Sequence, residues 1–313
     1  MSKKRINVFI TGARGFIGKN LVEYLNTKHP EKYSLFYPYH NDLELLDTAR
    51  VSKFIITNKI DIILHCASVG GTRKTAYDIG KTDIISKNLR IFFNLTHSLS
   101  MVKRVINFGT GAEYDMRHYK PCMPENYFDT FIPEDNYSFS KYVIAKYIEN
   151  SEKIVNLRLF GVFGRYEDYE FKFISNSILK NLFGLPIIIN QNVYFDYLYI
   201  NDLMGIIEYF INHDAEHKVY NVVNGKTVDL VTIANKINKI AKRPSEIIVK
   251  NRGLNTEYSA DNKRLLVELG GFRFTRLDKA LRELYFWYKK NIKNIDPKVI
   301  EKDEYIKYCR VRK

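Results

Sequence analysis

Five tyrosines in this chain are followed four residues later by a lysine: Tyr24/Lys28, Tyr77/Lys81, Tyr137/Lys141, Tyr142/Lys146 and Tyr285/Lys289. On a helix, residues at that spacing share a face, so an ammonium can stand beside a phenol. A phenol ionises near pH 10, and a neighbouring ammonium favours its ionised form. Such a pair can pass a proton to or from a carbonyl or alcohol oxygen. The chain holds 23 tyrosines, so spacing by itself does not choose among the five.

A second constellation is Thr11-Gly12-Ala13-Arg14-Gly15-Phe16-Ile17-Gly18. The first glycine permits a tight turn, the second lets backbone amides approach a pyrophosphate, and the third lets a helix pack close to a sheet. The N-terminus of that helix offers free N–H groups and the positive end of its dipole. The motif follows an apolar run, Ile6–Ile10, and opens a helical pattern. That is the context dinucleotide binding requires.

Holding these groups takes alternating strands and helices. Ile6–Ile10, Ser34–Tyr37, Asp61–Cys66 and Arg104–Phe108 read as strands, and Phe16–Leu25, Ala49–Thr57 and Ile84–Leu99 as helices. Near-continuous apolar strands separated by helices predict a parallel sheet covered on both faces. Right-handed crossovers make it a doubly wound, Rossmann-type α/β sheet. From about Arg165 the pattern is less regular, with helices such as Leu230–Ala241 and Leu277–Lys290, and Val219–Val223 returning a strand to the sheet. The expected organisation is a dinucleotide-binding domain over 1–165, completed by elements from 191–223. A smaller C-terminal α/β substrate-binding region covers 166–190 and 224–290, and a basic tail covers 291–313.

With 45% hydrophobic and 27% charged residues the composition is globular, which excludes dominant disorder. No apolar run approaches the ~20 residues of a membrane helix. Ser2-Lys3-Lys4-Arg5 before Ile6–Ile10 imitates a signal peptide, but Asn7 interrupts the run and no small-residue cleavage site follows. Cys66, Cys122 and Cys309 form neither CxxC nor a zinc spacing. A cytoplasmic location without membrane or metal is expected. The net charge of +14, five units of it in residues 289–313, favours polyanionic partners such as phosphorylated small molecules. Nucleic acid is not expected, because no groove-reading helix motif, zinc spacing or RNA-binding consensus is present.

The glycine pattern resembles the TGxxGxxG fingerprint of the extended short-chain dehydrogenase/reductase (NAD-dependent epimerase/dehydratase) family. The resemblance implies a Ser or Thr at a strand end ahead of the active Tyr. Arg104–Phe108 leads into Gly109-Thr110, 27 residues before Tyr137, and Pro133-Glu134-Asp135-Asn136 supplies a helix start. It therefore implies Thr110, Tyr137 and Lys141 as catalytic residues. It further implies that Lys141 reaches a ribose hydroxyl and that the nicotinamide exchanges hydride with the substrate carbon. The implied cofactor residues are Gly12, Arg14, Gly15, Phe16, Ile17, Gly18, His40, Leu45 and Ala67.

Asn41-Asp42-Leu43-Glu44-Leu45-Leu46-Asp47 and Lys59–Gly71 are most similar to GDP-L-fucose synthase-like nucleotide-sugar 4-ketoreductases. Residues 5–165 carry this resemblance well and the remainder loosely. Members of that branch place a Cys two residues beyond the catalytic Ser, where this chain has Ala112. They use a His in the substrate segment, where Lys172 is the best match. Reduction without epimerisation at C3 and C5 is implied. Sugar 4,6-dehydratases carry Asp-Glu after the catalytic Thr, where this chain has Gly111-Ala112. Gly161 stands at a family Asn position and Phe195 at a diphosphate-binding Arg, which leaves Arg252, Arg165 and Lys172 as substrate candidates.

No acid ends the second strand, which runs into Pro38-Tyr39-His40. With Arg14 and His40 placed to meet a 2′-phosphate, NADP(H) is expected over NAD(H). The expected activity is NADPH-dependent reduction of a nucleotide-linked 4-keto-6-deoxy sugar for surface-polysaccharide synthesis. The alternative is an NAD-dependent nucleotide-sugar 4-epimerase. The resemblance also implies a homodimer.

Overall fold

The apolar runs of the first half become strands buried along most of their length. A computed structural model of the chain describes residues 5–71, 83–309, 311 and 312. Ser2–Lys4 and the Tyr77/Lys81 pair lie outside the described residues. β1 (Ile6–Thr11), β2 (Tyr33–Phe36), β3 (Ile62–His65), β4 (Arg104–Thr110), β5 (Ile154–Leu159) and β9 (Val219–Val222) form one parallel sheet in the order β2-β1-β3-β4-β5-β9. The expected doubly wound sheet is present.

Alternate side chains of each strand serve opposite faces. Val8, Ile10, Leu64 and Ile106 join the core under α1 (Phe16–Lys28) and α6 (Ile200–Asn212). Phe9, Ile63 and Val105 join a second core under α2 (Thr48–Thr57), α3 (Asp83–Thr96) and α4 (Asn136–Glu149). Each such buried apolar side chain contributes about 1.5–3 kcal/mol, and a one-residue register slip would swap the side chains that serve the two cores.

Local chemistry sets the boundaries. Asp47 caps α2 by accepting from Arg50 N at 3.0 Å. α3 stops at Thr96, short of the expected Leu99, where the Thr96 hydroxyl bonds back to Phe93 O at 2.9 Å. β4 runs two residues past the expected Phe108, because Gly109 and Thr110 pair with Arg158 and Leu159 of β5.

The second half adds β6 (Gly161–Phe163), β8 (Tyr194–Tyr199) and β10 (Thr227–Asp229) as a three-stranded sheet. β7 (Ile187–Asn192) pairs in parallel with β11 (Ile247–Leu254). α5 (Phe173–Leu182), α7 (Leu230–Ile240), α8 (Lys263–Leu269) and α9 (Leu277–Asn291) complete it. Residues beyond 291 pack back onto α5 and β7 through α10 (Pro297–Glu301) and α11 (Glu304–Lys307). Ile300 and Tyr305 enter the main core, Lys180 pairs with Asp303 at 2.7 Å, and Arg312 N donates to Gln191 Oε1 at 2.8 Å. No helix among the described residues is long and apolar enough to cross a membrane.

The segment between β6 and α5 buries Glu167, whose carboxylate accepts from Ser175 Oγ at 2.5 Å. Burial pushes this carboxyl up from an ordinary 4.5 to about 7. The raised value gives a stability contribution present below about pH 4.5 and lost as pH rises through 7. Glu167→Gln does not titrate. Its thermal midpoint should therefore gain on the parent between pH 5 and pH 8, by the equivalent of about 2–3 kcal/mol. A gap between the two midpoints that does not change with pH would contradict this.

Candidate active site

The site lies where the strands of the main sheet end, which is where open α/β sheets bind ligands. At the end of β1 the Thr11 hydroxyl accepts from Ala67 N at 3.1 Å and hydrogen-bonds His65 Nδ1 at 3.0 Å. Burial lowers the His65 imidazole to about 3, so it stays neutral and ties the loop after β1 to the loop after β3. Gly12 has φ +65°, and a Cβ there would stand 2.8 Å from Ala67 N. A Cβ on Gly18 would collide with the Gly12 carbonyl.

Gly15 differs from both: an added Cβ would meet only Gly12 O, at 3.3 Å. It is the N-cap of α1 and brings no side-chain cap, and the first turn carries no acid. The helix terminus thus keeps donors and positive dipole for an anion. This cradle fits a pyrophosphate. Phe16 and Ile17 pack on the core beneath it. The Arg14 guanidinium lies 3.9 Å from the centroid of the Tyr39 ring, a cation–π contact at the end of β2. His40 Nδ1 is 3.3 Å from Glu44 Oε2, and Leu45 O accepts from Asn94 Nδ2 at 2.8 Å.

β4 delivers Thr110 as its last residue. Thr110 Oγ1 accepts from Ala112 N at 3.2 Å, and Thr110 N donates to Glu113 Oε1 at 3.0 Å, a reciprocal capping box. Glu113 is buried at 1% exposure. It is held by Arg158 Nε at 2.5 Å and Asn156 Nδ2 at 3.0 Å. A side chain on Gly109 would collide with Glu113 and Asn156.

Asp135 caps α4 through Ser138 N at 2.9 Å, so Tyr137 falls in the first turn and Lys141 one turn later. Ser68 and Thr110 bear on the Tyr137 hydroxyl, each favouring its ionised form. Lys141 Nζ donates to Phe108 O at 3.2 Å and lies 6.0 Å from the centroid of the Tyr137 ring. Asn88 fixes the loop in front: Val69 N donates to Asn88 Oδ1 at 2.7 Å, and Asn88 Nδ2 donates to Ser140 Oγ at 3.0 Å. That loop ends at Gly71, where a Cβ would come within 3.0 Å of the Tyr137 ring.

The structure brings Thr110, Tyr137 and Lys141 together. Their protonation differs from the expected ammonium-lowered phenol. Burial, then the nearby Glu113 carboxylate, pushes Tyr137 up to about 12. Burial lowers Lys141, with Glu113 opposing that shift. At neutral pH Tyr137 therefore holds its proton.

The other described Tyr/Lys pairs have partners of their own. Tyr24 donates to Glu208, Tyr142 to Asp129 and Tyr285 to Asn181. The three substrate candidates stand on separate elements. Arg165 faces α1, with Nη1 3.6 Å from Glu23 Oε2. Lys172 is exposed at the N-cap of α5, and Arg252 is exposed on β11.

Sequence reasoning missed Ser68, Glu113 and Tyr258. Glu113 carried a readable signal, the Thr-x-x-Glu spacing of a capping box. The Tyr258 hydroxyl comes to lie beside Gly111, next to Thr110, from 148 residues beyond Thr110 in the chain, and no local pattern announces that.

A family model described as the NAD dependent epimerase/dehydratase family matches residues 8–223. An ADP-L-glycero-D-manno-heptose-6-epimerase of Brachyspira hyodysenteriae is 24% identical over 308 residues, covering 82% of this chain and 90% of that protein. A trifunctional UDP-glucose 4,6-dehydratase/UDP-4-keto-6-deoxy-D-glucose 3,5-epimerase/UDP-4-keto-L-rhamnose-reductase of Arabidopsis thaliana is 25% identical over 321 residues, covering 91% of this chain. The chain spans 47% of that longer enzyme. Among solved structures, a GDP-mannoheptose C4 reductase of Campylobacter jejuni with NADP bound superposes with a TM-score of 0.78 at 20% identity, covering 92% of this chain and 99% of that one. At that identity the likeness is one of fold.

Proposed function

Because the chain belongs to the NAD dependent epimerase/dehydratase family, whose enzymes depend on NAD(P), we propose that it reduces a nucleotide-linked 4-keto-6-deoxy sugar to the 4-hydroxy sugar, with NADPH as reductant. The observation that carries this reading is the pairing of a protonated Tyr137 with a side-chain-poor Gly111-Ala112 beside Thr110. A proton donor stands ready for a carbonyl oxygen, and the two positions directly after Thr110 carry no acid or base to eliminate water.

Gly12, Arg14, Gly15, Phe16, Ile17, Gly18, His40, Leu45 and Ala67 would hold NADP(H), which when bound supplies the hydride for the carbonyl carbon. Thr110 hydrogen-bonds the carbonyl oxygen, and Tyr137 gives that oxygen its proton. Lys141, held by Phe108 O, is the cation beside Tyr137 that offsets the charge left on the phenol. Arg252, Arg165 and Lys172 are candidates to meet the substrate diphosphate. The enzyme would act as a cytoplasmic homodimer in surface-polysaccharide synthesis.

The test is NADPH consumption at 340 nm with GDP- and dTDP-linked 4-keto-6-deoxyhexoses. Loss of NADPH matched by 4-hydroxy sugar supports the reading. Interconversion of nucleotide sugars with tightly held NAD and no net redox change would replace it with a 4-epimerase. The coenzyme preference has its own test. Arg14→Ala should weaken NADPH about tenfold, the size of one lost charged contact, and leave NADH within twofold. An equal loss for both would overturn the NADP(H) assignment.

A further inference from the structure

Behind Thr110 the main sheet carries a row of buried polar side chains. Asn107 of β4, Asn156 and Arg158 of β5 and Asn221 of β9 are each exposed by 1% or less. Strand register sets Asn107 opposite Asn156 and Arg158 opposite Asn221. Glu113 lies against this row, over Gly109, where a Cβ would collide with its Oε1. Both of its carboxylate oxygens are engaged. Oε1 accepts from Thr110 N at 3.0 Å and from Asn156 Nδ2 at 3.2 Å. Oε2 accepts from Arg158 Nε at 2.5 Å and from Asn156 Nδ2 at 3.0 Å.

Arg158 is anchored in turn. Its Nη1 donates to Tyr114 Oη at 3.0 Å, that hydroxyl donates to Asn221 Oδ1 at 2.9 Å, and Asn221 Nδ2 donates to Met123 O at 2.9 Å. The guanidinium lies 4.2 Å from the centroid of the Phe128 ring. The carboxylate is thus braced from β5, β9 and the segment at Met123, and it grips the amide of Thr110.

A buried ion pair is a poor source of stability. Taking the two charges out of water costs several kcal/mol per ion, and an apolar pair of similar volume is often as stable or more so. What a satisfied buried network supplies is rigidity. Here that rigidity is delivered to the residue at the end of β4 that faces the reaction.

We propose that Glu113 is a positioning residue: its carboxylate, braced by Arg158, fixes the backbone of Thr110 and so aims the Thr110 hydroxyl at the carbonyl oxygen that Tyr137 protonates. Glu113 acts through Thr110 and touches no reacting atom. The kinetic consequence rests on the reductase reading, and the structural one on this chain's hydrogen bonds alone.

Two double variants of the full chain separate position from charge. Glu113→Gln with Arg158→Met keeps an acceptor for Thr110 N in the amide oxygen. Glu113→Leu with Arg158→Met keeps none. Neither leaves a buried charge unpaired, and both lack the carboxylate whose charge bears on Tyr137 and Lys141. With NADPH and a GDP- or dTDP-4-keto-6-deoxyhexose, kcat of the second should fall roughly tenfold below that of the first, the size of one lost hydrogen bond. The sugar KM should agree within about twofold, and NADPH should raise both thermal midpoints equally. Equal kcat in the two variants overturns the proposal.

A second arm needs no substrate. With ¹⁵N-labelled threonine, the Thr110 amide is identified by its loss in Thr110→Val. In the parent its proton should exchange with solvent at least about a hundredfold more slowly than in an unstructured peptide. That protection should persist in the first double variant and drop in the second. Exchange at the peptide rate in the parent overturns the proposal whether or not the variants fold. If the parent turns over no 4-keto sugar, the reductase reading fails while this arm still decides the role of Glu113.

Discussion

Tyr137→Phe should lower kcat for the 4-keto sugar by about a thousandfold, within the range of general acid catalysis, while NADPH still raises the thermal midpoint. The size follows from what the hydroxyl does. It is the phenol on which Thr110 and Ser68 both bear. Burial at about 12 keeps its proton in place across the physiological range. Phenylalanine keeps the ring that packs against Gly71 and removes only the donor. The deficit should therefore sit in kcat, with KM little changed, because the lost interaction matters most as charge develops on the carbonyl oxygen. Stopped-flow absorbance at 340 nm measures the step directly. A loss under tenfold would assign proton delivery to another group and remove Tyr137 from its role. For the parent, the donor is present well below pH 12 and disappears only as pH rises through that value. Reduction should accordingly show no alkaline decline from Tyr137 between pH 7 and pH 9.

Gly12→Ala should abolish the cofactor response. At φ +65° an alanine carries roughly 1–3 kcal/mol of backbone strain. Its Cβ would also stand 2.8 Å from Ala67 N, against backbone that cannot turn aside. The loop after β1 must shift, and the amide cradle shifts with it, weakening NADPH by about a hundredfold. Ligand at about 100 times its Kd adds about 2.7 kcal/mol to the parent, so a midpoint rise of a few degrees should vanish in the variant. Gly15→Ala is the informative companion. Its Cβ meets only Gly12 O at 3.3 Å, and Gly15 has an ordinary extended φ of −74°. The cofactor-free midpoint should fall for Gly12→Ala and hold for Gly15→Ala, while both lose affinity. A full NADPH response in Gly12→Ala would show that the glycine loop does not bind the dinucleotide.

Much of this protein is fixed by local sequence. The Thr11–Gly18 loop, the alternating apolar runs and the Asp135 cap are short-range patterns. Each acts through backbone sterics, side-chain period or one capping bond. They set the parallel sheet, the cradle at the end of β1 and the turn of α4 that presents Tyr137 and Lys141. The physical state of that pair was not local. Burial, then Glu113, a carboxylate bonded by Arg158 and Asn156, dominates at Tyr137 in place of the expected ammonium effect.

The rest was decided only by tertiary structure. Tyr258 lies beside Gly111 because a bridge to β8 carries a distant segment across the site, and Gly111 leaves the space its hydroxyl fills. The segment beyond 291, basic in composition, docks because Ile300 and Tyr305 find a core to enter and Asp303 meets Lys180. Burial and long-range pairing depend on which surfaces the fold closes against each other. Residue type and spacing carry no information about that, so a chain can declare its cradle and its acid while leaving their electrostatic setting to the folded state.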